Sequence, residues 1–228
     1  MAARRPEVLV FDVNETLIDI ESLAVHFDRI FGDPAVLREW FGQLVTYSMT
    51  ATLSGCYVDF FALSRAVLHM VADIHGVHVT RNDLDALATG MQTMPAHPDV
   101  TDGLTALRAA GYRLVTLTNS PHAGDAPTPL QYAGLGGYFE RQFTVDPYRL
   151  FKPATSLYLD VARQLGAPPE GCMMVAAHVW DTIGAQAAGF GGALITRPGN
   201  AALVVDGLPQ PNLIATDLQD LAVQLGAA

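Results

Sequence analysis

The C-terminal two thirds of the chain alternates short apolar strand patterns with helix patterns, and this alternation limits the fold more than any other feature. The strand patterns occur at residues 112–120, 141–146, 171–178, 191–197 and 212–216. The helix patterns occur at residues 101–110, 125–135, 154–166, 180–189 and 217–226. Strands separated by helices of this length predict βαβ units around a parallel sheet that is buried on both faces.

The N-terminal third begins with the apolar strand pattern 8–11 and then departs from the alternation. Residues 18–95 contain four amphipathic helix patterns in succession, and residues 94–100 lead back into the alternating region. We therefore predict an α/β, Rossmann-like parallel-sheet core formed by residues 1–17 and 96–228, with an inserted helical cap formed by residues 18–95. An insertion directly after a strand lies over the edge where open α/β sheets bind ligands, so we expect the cap to act as a lid.

The charge and hydropathy of the chain argue against several classes of partner. The formal net charge is −10 over 228 residues, which is unfavourable for nucleic acid and for anionic membrane surfaces. No apolar run approaches the roughly 18 residues that a membrane helix needs, and the N-terminus lacks the apolar stretch of a signal peptide. We expect a cytoplasmic protein with no membrane partner, and an anionic substrate would need a local positive charge.

Polar side chains follow four of the predicted strands at their C-terminal ends. Asp12 follows the first strand, Thr118 and Asn119 end the second, Lys152 comes after the third, and Asp181 comes after the fourth. Because the carboxyl ends of parallel strands meet at one edge of a sheet, these side chains are expected to converge there.

Four ordered motifs give the whole chain a resemblance to the haloacid dehalogenase superfamily. They are DVNETL at 12–17, TLTNS at 116–120, FKPATSLY at 151–158 and AAHVWD at 176–181. Within that superfamily the chain most resembles the type II L-2-haloacid dehalogenases, which have an α/β core and a helical cap inserted after the first motif. The resemblance implies a hydrolase that displaces the 2-substituent of a small carboxylate through an aspartyl ester and yields a 2-hydroxy acid.

The resemblance also implies catalytic roles for individual residues. Asp12 would be the nucleophile, and Thr16 would hydrogen-bond to it. Lys152 would neutralise Asp12 and the substrate carboxylate. Asp181 would help to activate the water that hydrolyses the ester, and His178, at a strand end beside it, is a further candidate.

A second group of residues is expected to contact the substrate. Thr118 and Asn119 would hold the substrate carboxylate and face the leaving group, although a strand-end hydroxyl and amide equally suit loop caps. Tyr158 matches a tyrosine of the dehalogenase site. Trp40 and Trp180 fall in register with the motifs, although tryptophan is more often a core residue.

Asn14 distinguishes displacement at carbon from phosphoryl transfer. In the superfamily's phosphatases this position is an aspartate that protonates the leaving alkoxide, and an amide has no proton to give at neutral pH. A halide needs none, because it leaves as a stable anion. AAHVWD also carries a single carboxylate where the phosphatases hold Mg²⁺ with two. We therefore expect neither a metal ion nor another cofactor.

The chain departs from the dehalogenase pattern at Phe41. Trp40, Tyr47 and Ser48 are in register, but the arginine expected to stabilise the departing halide through charge-assisted hydrogen bonds is replaced by this phenylalanine. We therefore predict that Phe41 contacts the leaving group, although a phenylalanine cannot donate the hydrogen bonds that the arginine would supply. Arg38, one helical turn earlier, is a candidate substitute.

Three explanations of Phe41 remain open at the level of sequence. Asn119, His178 and Trp180 could donate to the halide instead of the arginine. The substrate could be an unusual one, such as a small fluorinated acid. The leaving group could also be a neutral ring amine, as in the opening of azetidine-2-carboxylate, which an arginine would repel.

We predict a metal-independent hydrolase of small anionic 2-haloacids. The alternatives are a ring-opening hydrolase of a strained cyclic amino acid, a Mg²⁺-dependent small-molecule phosphatase, and a catalytically silent binding protein. A homodimer is also an option, since related enzymes are often dimers. The sequence does not identify the leaving group or the stereochemistry.

Overall fold

The computed structural model describes residues 5–122 and 126–227. Its centre is a six-stranded parallel sheet in the order β3-β2-β1-β4-β5-β6. The strands are β1 Val8–Phe11, β2 Arg113–Thr118, β3 Arg141–Thr144, β4 Cys172–Ala176, β5 Gly191–Ile195 and β6 Leu213–Ala215. This sheet confirms the predicted α/β fold class, and each predicted strand is present with shorter ends.

The first strand occupies the middle of the sheet, which explains its continuous apolar sequence. Phe11 pairs with Thr116 on β2 and with Val175 on β4, and all four residues of β1 are buried. The backbone N–H of Asp12 donates to the carbonyl of Val175 at 3.0 Å, so the ladder extends one residue beyond β1. The chain therefore leaves the sheet at Asp12, between the ends of β2 and β4.

Nine α-helices cover the described part of the chain. Those of residues 18–95 are α1 Ala24–Phe31, α2 Val36–Leu53, α3 Phe60–His75 and α4 Arg81–Gln92. The others are α5 Val100–Ala109, α6 Pro129–Tyr132, α7 Thr155–Leu165, α8 Val179–Ala187 and α9 Leu218–Gln224. No helix within the described residues is long and apolar enough to cross a bilayer.

The predicted helix 125–135 is the least accurate of the helical predictions. Only Pro129–Tyr132 is helical, and residue 125 lies outside the described residues. Pro127 and Pro129 explain the late start, because proline disfavours helical backbone at the residue before it but suits the first helical position. Thr128 caps the turn, since its side chain accepts from the Gln131 N–H.

The helices α1–α4 lie over the C-terminal edge of the sheet. Where the chain leaves and rejoins the sheet region, Asp19 N–H donates to Pro95 O at 2.8 Å and His97 N–H donates to Leu17 O at 3.0 Å. Farther out, the Phe151 N–H donates to Thr52 Oγ1 at 2.8 Å. These contacts join the helices of residues 18–95 to the sheet region and place them above the polar strand ends.

Candidate active site

The carboxylate of Asp12 is held at both oxygens. Lys152 Nζ donates to Oδ1 at 2.8 Å, and Thr16 Oγ1 donates to Oδ2 at 2.8 Å. Thr16 is itself oriented, because its Oγ1 accepts from the backbone N–H of Ala177 at 2.9 Å. With Asp12 only 5% exposed, these bonds fix the carboxylate at the end of β1.

The ammonium of Lys152 uses all three of its donors. Besides Asp12, its Nζ donates to Leu117 O at 2.9 Å and to Asp181 Oδ2 at 2.5 Å. Its backbone N–H donates to Asn119 Oδ1 at 3.0 Å. A buried lysine needs such partners, because an unpaired charge in the interior is strongly unfavourable. The sheet edge therefore supplies a fully satisfied cation next to the Asp12 carboxylate.

A glycine on α8 lets the Lys152 loop approach the sheet edge. A Cβ at Gly184 would lie 2.4 Å from Cβ of Pro153, which is closer than two carbon atoms can approach. Gly184 thus serves as a contact point for the loop that carries Lys152.

Asp181 is bound to its neighbours through both oxygens. Tyr158 OH donates to Oδ1 at 2.5 Å while Lys152 holds Oδ2. Burial raises the pKa of Tyr158 well above its usual value, and the Asp181 charge raises it further. Burial also raises the pKa of Asp181, and the Lys152 ammonium opposes this. The Tyr158 hydroxyl therefore stays protonated and donates its hydrogen bond to Asp181. Both Asp181 oxygens are bound, by Tyr158 and by Lys152, so Asp181 orients Lys152 and does not face open space.

The environment keeps Asp12 ionised. Burial alone would raise the pKa of Asp12, but the Lys152 ammonium and the His178 imidazole outweigh it and hold that pKa well below its usual range. The same attraction to Asp12 and Asp181 raises the pKa of Lys152 against the effect of burial. Asp12 is thus a carboxylate, the form that a nucleophile requires, at any physiological pH.

His178 lies between two carboxylates. Its Nε2 is 2.8 Å from Glu15 Oε2, and its Nδ1 is 3.5 Å from Asp12 Oδ2. Nδ1 is buried and makes no hydrogen bond to any residue that the structure describes. Burial would lower the pKa of His178, but Asp12 and Glu15 raise it to about 9. At neutral pH the ring is therefore an imidazolium with one N–H directed towards the nucleophile.

Glu15 is the main site residue that sequence reasoning missed. It has a φ of 67°, a left-handed backbone that is uncommon outside glycine. Asn200 Nδ2 donates to Oε1 at 2.7 Å, the Arg38 guanidinium donates to the same oxygen, and the His97 ring binds the Glu15 carbonyl at 3.0 Å. Its place within DVNETL was the available signal, but the sequence did not distinguish a catalytic side chain from one that shapes a turn.

The His178 ring lies among several charged groups in a largely buried space. Lys152 pairs with Asp12 and Asp181, and Arg38 divides its guanidinium between Glu15 and Glu21. The two carboxylates in contact with the His178 ring, Asp12 and Glu15, are the groups that raise its pKa.

A cleft of about 540 Å³ opens beside His178. Its lining is mostly apolar, with the polar groups of Glu15, Arg38, His178 and Asn200 at one end. The Trp180 ring stacks on the His178 ring at 5.1 Å between centroids, and the Phe41 ring lies 5.5 Å away on the same imidazole. Its volume is sufficient for a small organic acid, and it reaches His178, whose Nδ1 lies 3.5 Å from Asp12 Oδ2.

Not every predicted substrate contact lines this cleft. Trp40 is completely buried in the cap, where its Nε1 donates to Ser64 O at 3.1 Å. Its ring packs on Phe27 and Phe41. This placement favours a packing role over the predicted substrate contact. Arg38 is also not a free halide ligand, because it is already bound to acidic side chains.

Asn14, two residues after Asp12, and Thr118, the last residue of β2, contact Ser120 and do not line the cleft. Asn14 Nδ2 is 3.4 Å from Ser120 Oγ, and Thr118 Oγ1 accepts from the Ser120 N–H at 3.2 Å. Asn14 and Thr118 line a small cavity of about 20 Å³, which holds little more than one water molecule. Asn119 caps the Lys152 loop. The structure thus brings them close to Asp12, but in positions that shape the loops.

Comparison with known proteins finds several similar enzymes. The family model described as haloacid dehalogenase-like hydrolase matches residues 6–189. An (S)-2-haloacid dehalogenase from Pseudomonas sp. (strain CBS-3) is 30% identical over 191 residues, covering 82% of this chain and 83% of that protein. A solved L-2-haloacid dehalogenase is 25% identical with a TM-score of 0.90, covering 98% and 100% of the two chains. A solved defluorinating L-2-haloacid dehalogenase is 29% identical with a TM-score of 0.77, covering 98% and 96%.

Proposed function

Because the chain belongs to the haloacid dehalogenase-like hydrolase family, we propose that it hydrolyses small (S)-2-haloacids to 2-hydroxy acids. The observation that carries this proposal is the Asp12 carboxylate, which Lys152 and Thr16 hold in place and whose pKa lies well below its usual range. Such a group is suited to attack carbon directly. The dehalogenase relatives favour this activity over the ring-opening, phosphatase and binding alternatives.

In the first step Asp12 attacks C2 of the substrate from the side opposite the halogen. A bond forms between a carboxylate oxygen and C2, the carbon–halogen bond breaks, and the halide leaves with the bonding electrons. No proton is transferred, which agrees with an amide at Asn14. Holding the reactants in line supplies much of the rate, since effective molarities of about 10⁵ M or more are known for such alignment.

In the second step water attacks the Asp12 carboxyl carbon of the ester. Esterification removes the negative charge of Asp12, so His178 loses one of the two carboxylates that raise its pKa. The imidazolium then releases its Nδ1 proton to solvent more easily, and Glu15 keeps the neutral ring oriented through the 2.8 Å contact with Nε2. His178 Nδ1 takes a proton from the attacking water as the new oxygen–carbon bond forms, and it gives that proton to the oxygen of the 2-hydroxy acid as the bond between this oxygen and the carboxyl carbon breaks. The acid proton left on the Asp12 carboxyl group then passes to His178, which restores the carboxylate and the imidazolium.

Lys152 serves both steps in this proposal. Its ammonium neutralises the ground-state carboxylate and then stabilises the negative charge that develops on the ester oxygen under attack. Asp181 and Tyr158 keep this ammonium in place. In this proposal His178, oriented by Glu15, activates the water. Asp181, for which the sequence predicted that role, orients Lys152 instead.

A single turnover in ¹⁸O-labelled water tests the covalent step. With enzyme in excess over (S)-2-chloropropionate, mass spectrometry should find the label in the peptide that contains Asp12, while the 2-hydroxypropionate stays unlabelled. Inversion at C2 should give the (R) product. Label that appears only in the product of the first turnover would refute the aspartyl ester.

A substrate panel separates the proposed activity from its alternatives. It contains both enantiomers of 2-chloropropionate, fluoroacetate, azetidine-2-carboxylate and an aryl phosphate, each with and without EDTA. We expect halide release from the (S) enantiomer that EDTA does not affect. Turnover of azetidine-2-carboxylate or of the phosphate alone would overturn the proposed substrate class.

Three further predictions belong to this proposal and have their own measurements. Metal independence is checked by the EDTA arm of the panel. A homodimer is checked by light scattering of the purified protein. A cytoplasmic location is checked by cell fractionation.

A further inference from the structure

The carboxylate of Glu15 is fixed by side chains from three separate parts of the chain. Its Oε2 faces His178 after β4, and its Oε1 accepts from Asn200 in the loop after β5. The Arg38 guanidinium, on α2 of the cap, donates to the same Oε1. Because Arg38 and Asn200 both occupy Oε1, the other oxygen remains directed at the imidazole.

Arg38 also connects the cap to the core. Its guanidinium donates to Pro198 O at 2.9 Å, next to Gly199, which has a φ of +82°. A Cβ at Gly199 would lie 3.1 Å from Arg38 Cζ, so a side chain there would crowd the guanidinium. The loop 198–200 therefore packs closely against the Arg38 guanidinium, and this close approach depends on the glycine at the centre of the loop.

We propose that Arg38 and Asn200 are positioning residues that act through Glu15 to make His178 an effective base for ester hydrolysis. This inference rests on the proposed function, because it concerns the second step of that reaction. Arg38 acts through its charge, since it offsets part of the Glu15 charge that would otherwise retain the proton on His178. Asn200 acts through orientation alone.

The position of Arg38 on the cap gives the arrangement a second consequence. Oε1 of Glu15 has both partners only while α2 lies on the loop 198–200. Ester hydrolysis therefore works fully only while α2 keeps Arg38 on the loop 198–200.

Several charged groups contribute to the charge state of the His178–Glu15 pair. Asp12 and Lys152 lie on the nucleophile side, and Arg38 with its partner Glu21 lies on the cap side. The His97 ring binds the Glu15 carbonyl, and Arg197 binds the carbonyl of the next residue, Thr16. Among the described residues, Arg38 and His178 are the positively charged groups in direct contact with the Glu15 carboxylate. Removing Arg38 should thus shift the titration of His178 upward.

Rapid-quench kinetics with (S)-2-chloropropionate separate the two steps of the reaction. The variants are Arg38→Gln, Arg38→Lys and Asn200→Ala, and Glu39→Gln is the control because Glu39, next to Arg38 on α2, pairs with His75 away from the site. Halide release in the first turnover should stay within about threefold of the unmodified enzyme in all four, since Asp12 keeps its own partners. Ester hydrolysis should slow by about tenfold in Arg38→Gln and Asn200→Ala, the usual effect of losing one hydrogen bond to a charged group.

The pH profile of ester hydrolysis distinguishes charge from orientation. Its midpoint should rise by about half a pH unit or more in Arg38→Gln, return in Arg38→Lys, and stay unchanged in Asn200→Ala and Glu39→Gln. Equal slowing of both steps, with no shift of the midpoint, would overturn the proposal and leave Arg38 a structural residue. Unchanged ester hydrolysis in both Arg38→Gln and Asn200→Ala would overturn it too. Absence of a halide burst in the unmodified enzyme would instead refute the proposed function.

Discussion

The site has two halves that are built differently. In the half that contains Asp12, Lys152, Asp181 and Tyr158, the charged groups are almost completely buried and paired within the core. In the half that contains His178, the ring borders an open cleft, and its Nδ1 has no hydrogen-bond partner. The nucleophile is therefore held by the core alone, whereas the proposed base depends on both core and cap.

Asp12→Asn tests the first half and should have the largest effect. An amide is a poor nucleophile, so turnover should fall by on the order of 10⁴-fold or more. The protein should remain folded, because Lys152 keeps Asp181 and Leu117 O as partners. Halide release and a thermal unfolding curve measure the two outcomes.

The control for this substitution is Asp85→Asn, which changes an exposed carboxylate of the cap. It should leave turnover unchanged. Residual activity above one hundredth in Asp12→Asn would show that another group attacks the substrate and would remove the distinction between the two halves.

His178→Gln tests the second half. Loss of a general base typically lowers the rate by about 10²–10⁴-fold, and here the loss should fall on ester hydrolysis rather than on halide release. The aspartyl ester should therefore accumulate and be visible as a mass increase on the peptide that contains Asp12. His75→Gln, at an exposed ion pair with Glu39, is the matched control. If no ester accumulates, His178 is not the base for the second step.

The two halves also differ in how stability should depend on pH. The folded-state pKa of His178, raised from 6.5 to about 9, stabilises the protein at pH below 6.5, and this contribution is lost as the pH rises through about 9. The difference corresponds to about 3 kcal/mol. Asp12 makes no comparable contribution between pH 6.5 and about 9, because the pKa of its carboxyl group lies far below that range.

Chemical denaturation at several pH values between 6 and 10 measures this slope. The free energy of unfolding of the unmodified protein should fall across the range, and that of His178→Gln should fall much less. If the free energy of unfolding falls equally with pH in the two proteins, His178 is not a buried imidazolium, and the charge assigned to it in the second half is wrong.

The sequence predicted the first half of the site better than the second for a structural reason. Asp12, Lys152 and Asp181 each follow a strand of the parallel sheet, so the topology alone brings them together. Glu15 depends on Arg38, 23 positions away, and on Asn200, 185 positions away. Arg38 lies on the cap helix α2 and Asn200 lies outside the four sequence motifs, so no local pattern connected them to the nucleophile.

The fold shows the same division between regular and irregular features. The alternating strands and helices were predictable because their periodicity is local, and the errors lie mostly at element ends. Trp40 had the right motif register for the site but faces the interior of the cap, where its Nε1 bonds to Ser64 O. Sequence register places a residue on an element, whereas the packing of the cap decides which way the side chain points.

Phe41→Leu should have the smallest effect, because Phe41 lines the cleft and contacts His178 through its apolar ring alone. The ring lies 5.5 Å from the His178 ring and 6.4 Å from the Trp40 ring. A leucine keeps most of the apolar contact, so we expect a loss of about 1 kcal/mol of stability and a change in turnover within about threefold. Thermal unfolding and steady-state halide release measure both. A tenfold or greater loss of turnover with normal stability would show that the Phe41 ring touches the substrate. Phe41 would then be part of the leaving-group site and not only a packing partner of the His178 ring.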